Sequence, residues 1–270
     1  MPTALITGAT SGIGAEYARQ LAARGYGLVL VARDAARLAA SAQALTREHG
    51  IAVEVVTADL ATDAGVDAIV ARLAQGASDD ARFIDVLVNN AGFGTKGSLV
   101  SGDPAQQEAM VRLHVLAVHR LTHAALQPMA RRGRGAIVSV SSVASYLTSP
   151  GNVTYCATKA YQRFAAQALA AEVAHRGIYV QAFCPGFTRT EFHQRAAMST
   201  EIIPSILWMD AAVAVRASVE ALERRAPTTV IPGWLNRFLV TALHFTPRFI
   251  TARGTRPYQE MRRDDSPSRK

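Results

Sequence analysis

The chain reads as an α/β protein, a single-domain, doubly wound parallel sheet of about seven strands with helices on both faces. Short runs rich in Val, Ile and Leu alternate with Ala-rich helical stretches from residue 3 to near residue 230. The runs are apolar at consecutive positions, as in strands buried on both faces. The first of them leads directly into a glycine-rich turn that opens a helix.

Taken in order, residues 4–7 form the first strand and 15–24 an Ala- and Arg-rich helix. Residues 27–32, with Leu and Val at four consecutive positions, form the second strand, followed by a helix over 35–49. Residues 53–58 and 64–75 repeat the unit, and 84–89 is the fourth strand. A long helix is expected over 105–131, a strand over 136–141, a helix over 153–175 and a strand over 179–183. A helix at 211–225 and a seventh strand at 228–231 complete the alternation. Right-handed crossovers then cover both sheet faces with helices. No linker or repeat divides the pattern.

Composition narrows the function. With 270 residues, 49% hydrophobic and 19% charged, the chain has the means to bury a large core and is not a disordered polyelectrolyte. Two cysteines, Cys156 and Cys184, make no disulfide scaffold and point to a reducing, cytoplasmic setting. The N-terminus lacks a basic leader, and no apolar run reaches the ~18 residues of a membrane span. Of the net charge of +8, +4 lies in residues 248–270, which hold seven basic and three acidic side chains. That is a solvated tail; nothing resembles a nucleic-acid-binding pattern, so nucleic acid is not an expected partner. Only three lysines stand among 26 arginines, and Lys159 is the one in an interior helix.

In a doubly wound sheet, ligands bind beyond the carboxyl ends of the strands, where strand order reverses. There stands Gly8-Ala9-Thr10-Ser11-Gly12-Ile13-Gly14. Its glycines permit a tight turn and close approach of a diphosphate to a helix N-terminus, whose free N–H groups and dipole favour an anion. Glycines alone also make ordinary βα turns. Further along, Tyr155 and Lys159 are spaced i, i+4, so both side chains share one helix face. An ammonium beside a phenol favours phenolate and tunes it to exchange a proton with a carbonyl or alcohol oxygen. Ser142 ends the preceding strand, 13 residues upstream of Tyr155, placed to polarise the same oxygen.

Together these motifs resemble the short-chain dehydrogenase/reductase family, from residue 3 to about residue 235. The resemblance implies a Rossmann-like nicotinamide-binding fold with Ser142, Tyr155 and Lys159 as catalytic residues. It implies that Gly8, Thr10, Ser11, Gly12, Ile13 and Gly14 take the cofactor phosphates and that Asp59 and Leu60 border the adenine. Asn90, Ala91 and Gly92, in the run beginning at Asn89, bracket the cofactor. Pro185, Gly186, Thr188 and Thr190 hold the nicotinamide carboxamide, while Tyr155 and Lys159 also contact the cofactor, the lysine through the ribose hydroxyls. One position departs. The family has an Asn in the long fourth helix that holds a water beside the lysine in a proton relay; here it is His114. The imidazole either holds that water or packs against the helices with the relay lost.

NAD-dependent members carry an acid at the end of the second strand; here Ala32 is followed by Arg33, whose guanidinium matches a 2′-phosphate. NADP(H) is therefore expected over NAD(H), although Asp34 follows and Ser11 is not basic. The catalytic domain is expected over 1–235, with a substrate lid at 187–209 containing Phe187, Phe192, Met198, Ile202, Ile203, Trp208 and Met209. Arg189, His193 and Arg195 are read as solvated charges. An apolar lid suits a hydrophobic ketone, the 3-oxoacyl type among them. Residues 236–270 are expected to add an amphipathic helix and basic tail, closing the cleft, meeting another subunit or lying on an anionic membrane. Relatives pair through the helices at 105–131 and 153–175, so a homo-oligomer, dimer or tetramer, is expected. His119 and His123 have metal-pair spacing without a third ligand, so no metal is expected. The expected activity is NADP(H)-dependent hydride transfer between nicotinamide and a carbonyl or secondary alcohol; the alternative is a non-catalytic NADP(H)-binding regulator.

Overall fold

The computed structural model describes residues 1–95, 98–191 and 204–245. Its main sheet has seven parallel strands in the order β3-β2-β1-β4-β5-β6-β9. These are β1 (Thr3–Thr7), β2 (Gly27–Ala32), β3 (Val53–Thr57), β4 (Val86–Asn89), β5 (Gly135–Val140), β6 (Ile178–Phe183) and the two-residue β9 (Thr229–Val230). Strand order reverses between β1 and β4, opening a crevice where Thr7 and Asn89 end their strands.

The pleat sorts side chains into two cores. Ala4 and Ile6 of β1, Val86 and Val88 of β4, and Val138 and Val140 of β5 face α1 (Gly12–Ala22), α2 (Ala35–His49) and α7 (Ala211–Arg224). Leu5, Leu87 and Ile137 face α3 (Asp63–Gln75), α5 (Val118–Arg132) and α6 (Val153–Val173). In the first core Tyr17 of α1 bonds Ser218 of α7, which bonds Gln181 of β6. Burial raises the Tyr17 phenol far above its usual range, so it stays neutral.

Local signals set the helix ends. Asp34 caps α2 by accepting from the Arg37 amide, and Gly50 ends it at φ 66°. Thr62 caps α3. Asp103 caps α4 (Pro104–Val111), with Pro104 in its first turn.

The expected helix over 105–131 is present in three parts. Between α4 and α5 lies a π turn, Arg112–Ala117. Its wider ring shifts the side-chain register and carries His114 to full burial. Helix α1 begins at Gly12, three residues before the expected start, and β4 begins at Val86, two after. The alternation did not show a second, two-stranded sheet. There β7 (Phe187–Arg189) pairs in parallel with β8 (Trp208–Asp210), placing Phe187 opposite Trp208 and Arg189 opposite Asp210. The ends of the expected lid thus lie side by side, while Phe192, His193, Arg195, Met198, Ile202 and Ile203 lie outside the described residues. Helix α8 (Trp234–Phe245) follows β9, and residues 246–270 lie outside the description. No helix among the described residues is long and apolar enough to cross a membrane.

Candidate active site

The site begins where β1 ends. Thr7 Oγ1 accepts from the backbone N–H groups of Asn90 and Ala91, both at 2.9 Å, and donates to Val88 O. Asn90 Nδ2 donates to Thr7 O at 2.8 Å. Together they lock the glycine turn to the end of β4 across the crevice. Gly14 is fixed by contact: a Cβ there would lie 2.2 Å from Gly8 O and 2.4 Å from Asn90 Nδ2. Gly8 and Gly12 take left-handed φ of 67° and 54°. Ser11 precedes α1 without a side-chain capping bond, and no acidic residue sits in the first turn. Such a helix start fits a diphosphate. Thr190 closes the turn from the other side, 3.1 Å from where a Gly12 Cβ would stand. Thr10 and Ile13 lie in this turn, partly buried.

After β3, where the adenine is expected, Asp59 Oδ1 accepts from the Ala61 amide at 3.0 Å, and Leu60 is buried. Arg33 is exposed directly after β2, and Asp34 is engaged in capping α2. Arg37, one turn along α2, donates to Thr10 O at 3.0 Å and pairs with Glu191 at 3.1 Å.

At the end where the nicotinamide is expected, Pro185 O accepts from the Val143 amide at 3.0 Å, joining the strand ends of β5 and β6. A Cβ on Gly186 would collide with Asn236 of α8 at 2.6 Å, so α8 packs against this turn. Thr188 Oγ1 donates to Gly186 O, and Thr190 Oγ1 to Thr188 O.

The catalytic candidates meet between these ends. Ser142 leaves β5 and accepts from the Ala144 amide at 3.1 Å; its hydroxyl reaches Pro185 O at 3.5 Å. Its neighbour Ser141 donates to Lys159 O at 2.7 Å, docking the strand end on α6. Lys159 Nζ lies 5.8 Å from the Tyr155 ring centre. It donates to Val140 O at 2.7 Å and Gln162 Oε1 at 2.9 Å. Burial lowers the Lys159 pKa to about 7.

His114 accepts from the Phe93 amide at Nε2, 3.1 Å away, and its Nδ1 is 3.0 Å from Thr158 Oγ1. Thr158 in turn donates to Tyr155 O. The first bond makes Nε2 the acceptor and assigns the proton to Nδ1, so both ring nitrogens are committed within the protein. Burial, and then the Lys159 cation, hold the imidazole well below its usual pKa and hence neutral. Its ring meets the Tyr155 ring edge-on at 6.0 Å. Gly92 is what makes room, since a Cβ there would lie 2.8 Å from His114 Nε2.

The profile of the short chain dehydrogenase family matches residues 2–200. This chain belongs to that family. A short-chain dehydrogenase from Sphingobium yanoikuyae, solved in complex with NADPH, is 37% identical. It matches over 100% of this chain and 98% of its own, with a TM-score of 0.82. A bulky-bulky ketone specific alcohol dehydrogenase from Comamonas testosteroni is 34% identical over 92% of this chain and 96% of its own, with a TM-score of 0.76. A very-long-chain 3-oxoacyl-CoA reductase from Anas platyrhynchos is 31% identical over 193 residues, 70% of this chain and 60% of that protein. Short-chain dehydrogenases bind a nicotinamide cofactor and act as oxidoreductases on small molecules.

Sequence reasoning missed Gln162, Thr158, Phe93 and Arg37. Gln162 carried a faint signal, three residues after Lys159 and so on the same helix face. The other three are identified only by folded contacts. His119 and His123 line the groove between α5 and α6, and no group of three metal-ligating side chains occurs among the described residues.

Proposed function

We propose that this short-chain dehydrogenase is an NADP(H)-dependent enzyme interconverting a carbonyl and a secondary alcohol on a hydrophobic substrate, with 3-oxoacyl compounds as one candidate class. The observation that carries the reading is the buried Lys159 Nζ beside the Tyr155 ring, at the same crevice as the glycine turn. The cofactor supplies or accepts the hydride when bound. Ser142 Oγ orients the substrate oxygen by hydrogen bonding, and Tyr155 gives that oxygen a proton in reduction or takes one in oxidation. The Lys159 cation favours the phenolate and anchors the ribose hydroxyls. The glycine turn, Asp59, Leu60, Asn90, Ala91 and Gly92 hold the adenosine diphosphate, and Pro185, Gly186, Thr188 and Thr190 the nicotinamide.

NADP(H) is supported by Arg33 standing exposed at the end of β2 and by Asp34 being tied to its helix. An apolar substrate is supported by the rings of Phe187 and Trp208, 5.7 Å apart between β7 and β8. A homo-oligomer through α5 and α6 is supported by Leu116, 50% exposed in the π turn that leads into α5, and Phe164, 70% exposed on α6. Cys156 and Cys184, both buried and not joined in a disulfide, support a reducing, cytoplasmic location. Helix α8 also exposes Trp234, Phe238 and Leu239, which supports peripheral contact with an anionic membrane.

The test is a panel of bulky ketones, steroids, small ketones and 3-oxoacyl thioesters with NADPH or NADH, followed by nicotinamide absorbance. The expected result is turnover of at least one bulky apolar ketone, faster with NADPH. Nucleotide binding without turnover of any panel member would favour the non-catalytic regulator, a reading that draws on His114 having no ring nitrogen left for a relay water.

A further inference from the structure

Lys159 is held from the side by a residue outside the catalytic motif. Its Nζ donates to Gln162 Oε1, and Gln162 Nε2 donates to the His114 carbonyl, both at 2.9 Å. Gln162 is 1% exposed and His114 fully buried. The amide orientation is fixed by its partners. Turned over, it would face the ammonium with N–H groups and the His114 carbonyl with an oxygen, and both contacts would repel. His114 is thereby tied to α6 twice, through its ring to Thr158 and through its carbonyl to Gln162.

The charges around Lys159 show why this matters. The titratable groups facing it are Tyr155 on its own helix, neutral His114 from the π turn, and Cys184 after β6. Burial raises the Cys184 pKa, so that thiol stays protonated near neutral pH. Both hydrogen-bond acceptors given to Nζ are neutral, the Val140 carbonyl and the Gln162 amide oxygen. A buried ammonium without a carboxylate depends on such dipoles to stay charged.

We propose that Gln162 is a positioning residue for Lys159: its amide holds Nζ beside Tyr155, favours the cation, and directly links it to the carbonyl of His114. An amide neither takes up nor releases a proton near neutral pH, so this link anchors the lysine and conducts no proton. The assignment rests on the oxidoreductase reading for its catalytic meaning, but the lysine's titration is measurable without turnover.

With only three lysines in the chain, 13Cε-lysine NMR of the full-length protein resolves Lys159, assigned by loss of its signal in Lys159→Arg. Titrations are run with and without saturating NADPH. Gln162→Leu, close in size but without polar atoms, should lower the Lys159 midpoint by about one pH unit, and Gln162→Glu should raise it by about as much. In Gln162→Leu the pH profile of kcat for alcohol oxidation should shift to higher pH, opposite in direction to the lysine midpoint, because a lysine that loses its charge earlier no longer favours the phenolate. A packing role alone would reduce Tm and leave both the midpoint and the profile in place. Midpoints in both variants within about 0.3 unit of wild type would overturn the proposal. If Gln162→Leu fails to fold, Gln162→Glu decides the matter alone. Absence of turnover in wild type would instead defeat the oxidoreductase reading, with the lysine titration still deciding the role of Gln162.

Discussion

In the proposed reading, Arg33 is the side chain on which cofactor choice turns. It is exposed at the carboxyl end of β2, and the adjacent Asp34 carboxylate accepts from the Arg37 amide. A guanidinium there can form paired, charge-assisted bonds to a 2′-phosphate that NADH lacks. Arg33→Ala should therefore raise the KM for NADPH by about tenfold or more and leave that for NADH within about twofold. Equal changes for the two nucleotides would remove the preference. Arg37 cannot substitute easily, because it already bonds Thr10 O and Glu191. Ser142, Tyr155 and Lys159 were legible in the sequence because a strand end and an i, i+4 helical pair fix them locally. Gln162 was not, since its role depends on the carbonyl of His114, 48 residues earlier in the chain.

Buried strands advertise themselves as uninterrupted apolar runs, so the parallel sheet could be read directly, and most boundaries fell within two residues. The π turn could not. Its residues, Arg112–Ala117, have ordinary helical composition, and only packing against α6 shows that the register shifts at His114. The β7–β8 pair was equally hidden: each strand is three residues long, and the pairing joins segments nearly twenty residues apart. The glycine turn was legible as a phosphate-binding pattern, but its anchor was not. Thr7 and Asn90 cross-link β1 and the turn after it to β4 through five hydrogen bonds, a contact that needs the strand order. Gly8 and Gly14 thus permit close approach to Asn90, and Gly12 close approach to Thr190.

Across the whole molecule, the crevice between β1 and β4 gathers side chains that are up to 183 residues apart, from Thr7 to Thr190. On its outward side, α8 leaves Trp234 73% and Phe238 63% exposed, one turn apart on the helix. If that face meets lipid, the protein should co-sediment with phosphatidylcholine vesicles containing phosphatidylglycerol, and a Trp234→Ser/Phe238→Ser variant should remain in the supernatant. Wild-type protein left in the supernatant would end the membrane reading without touching the chemistry. The proposed chemistry depends on the Tyr155 hydroxyl as the group that exchanges the proton with substrate. Tyr155→Phe removes that oxygen alone and keeps the ring against His114. Measured on a ketone that wild type reduces, kcat for Tyr155→Phe should fall ~10²–10⁴-fold while the NADPH dissociation constant stays within about threefold. Turnover at the wild-type rate would contradict the account.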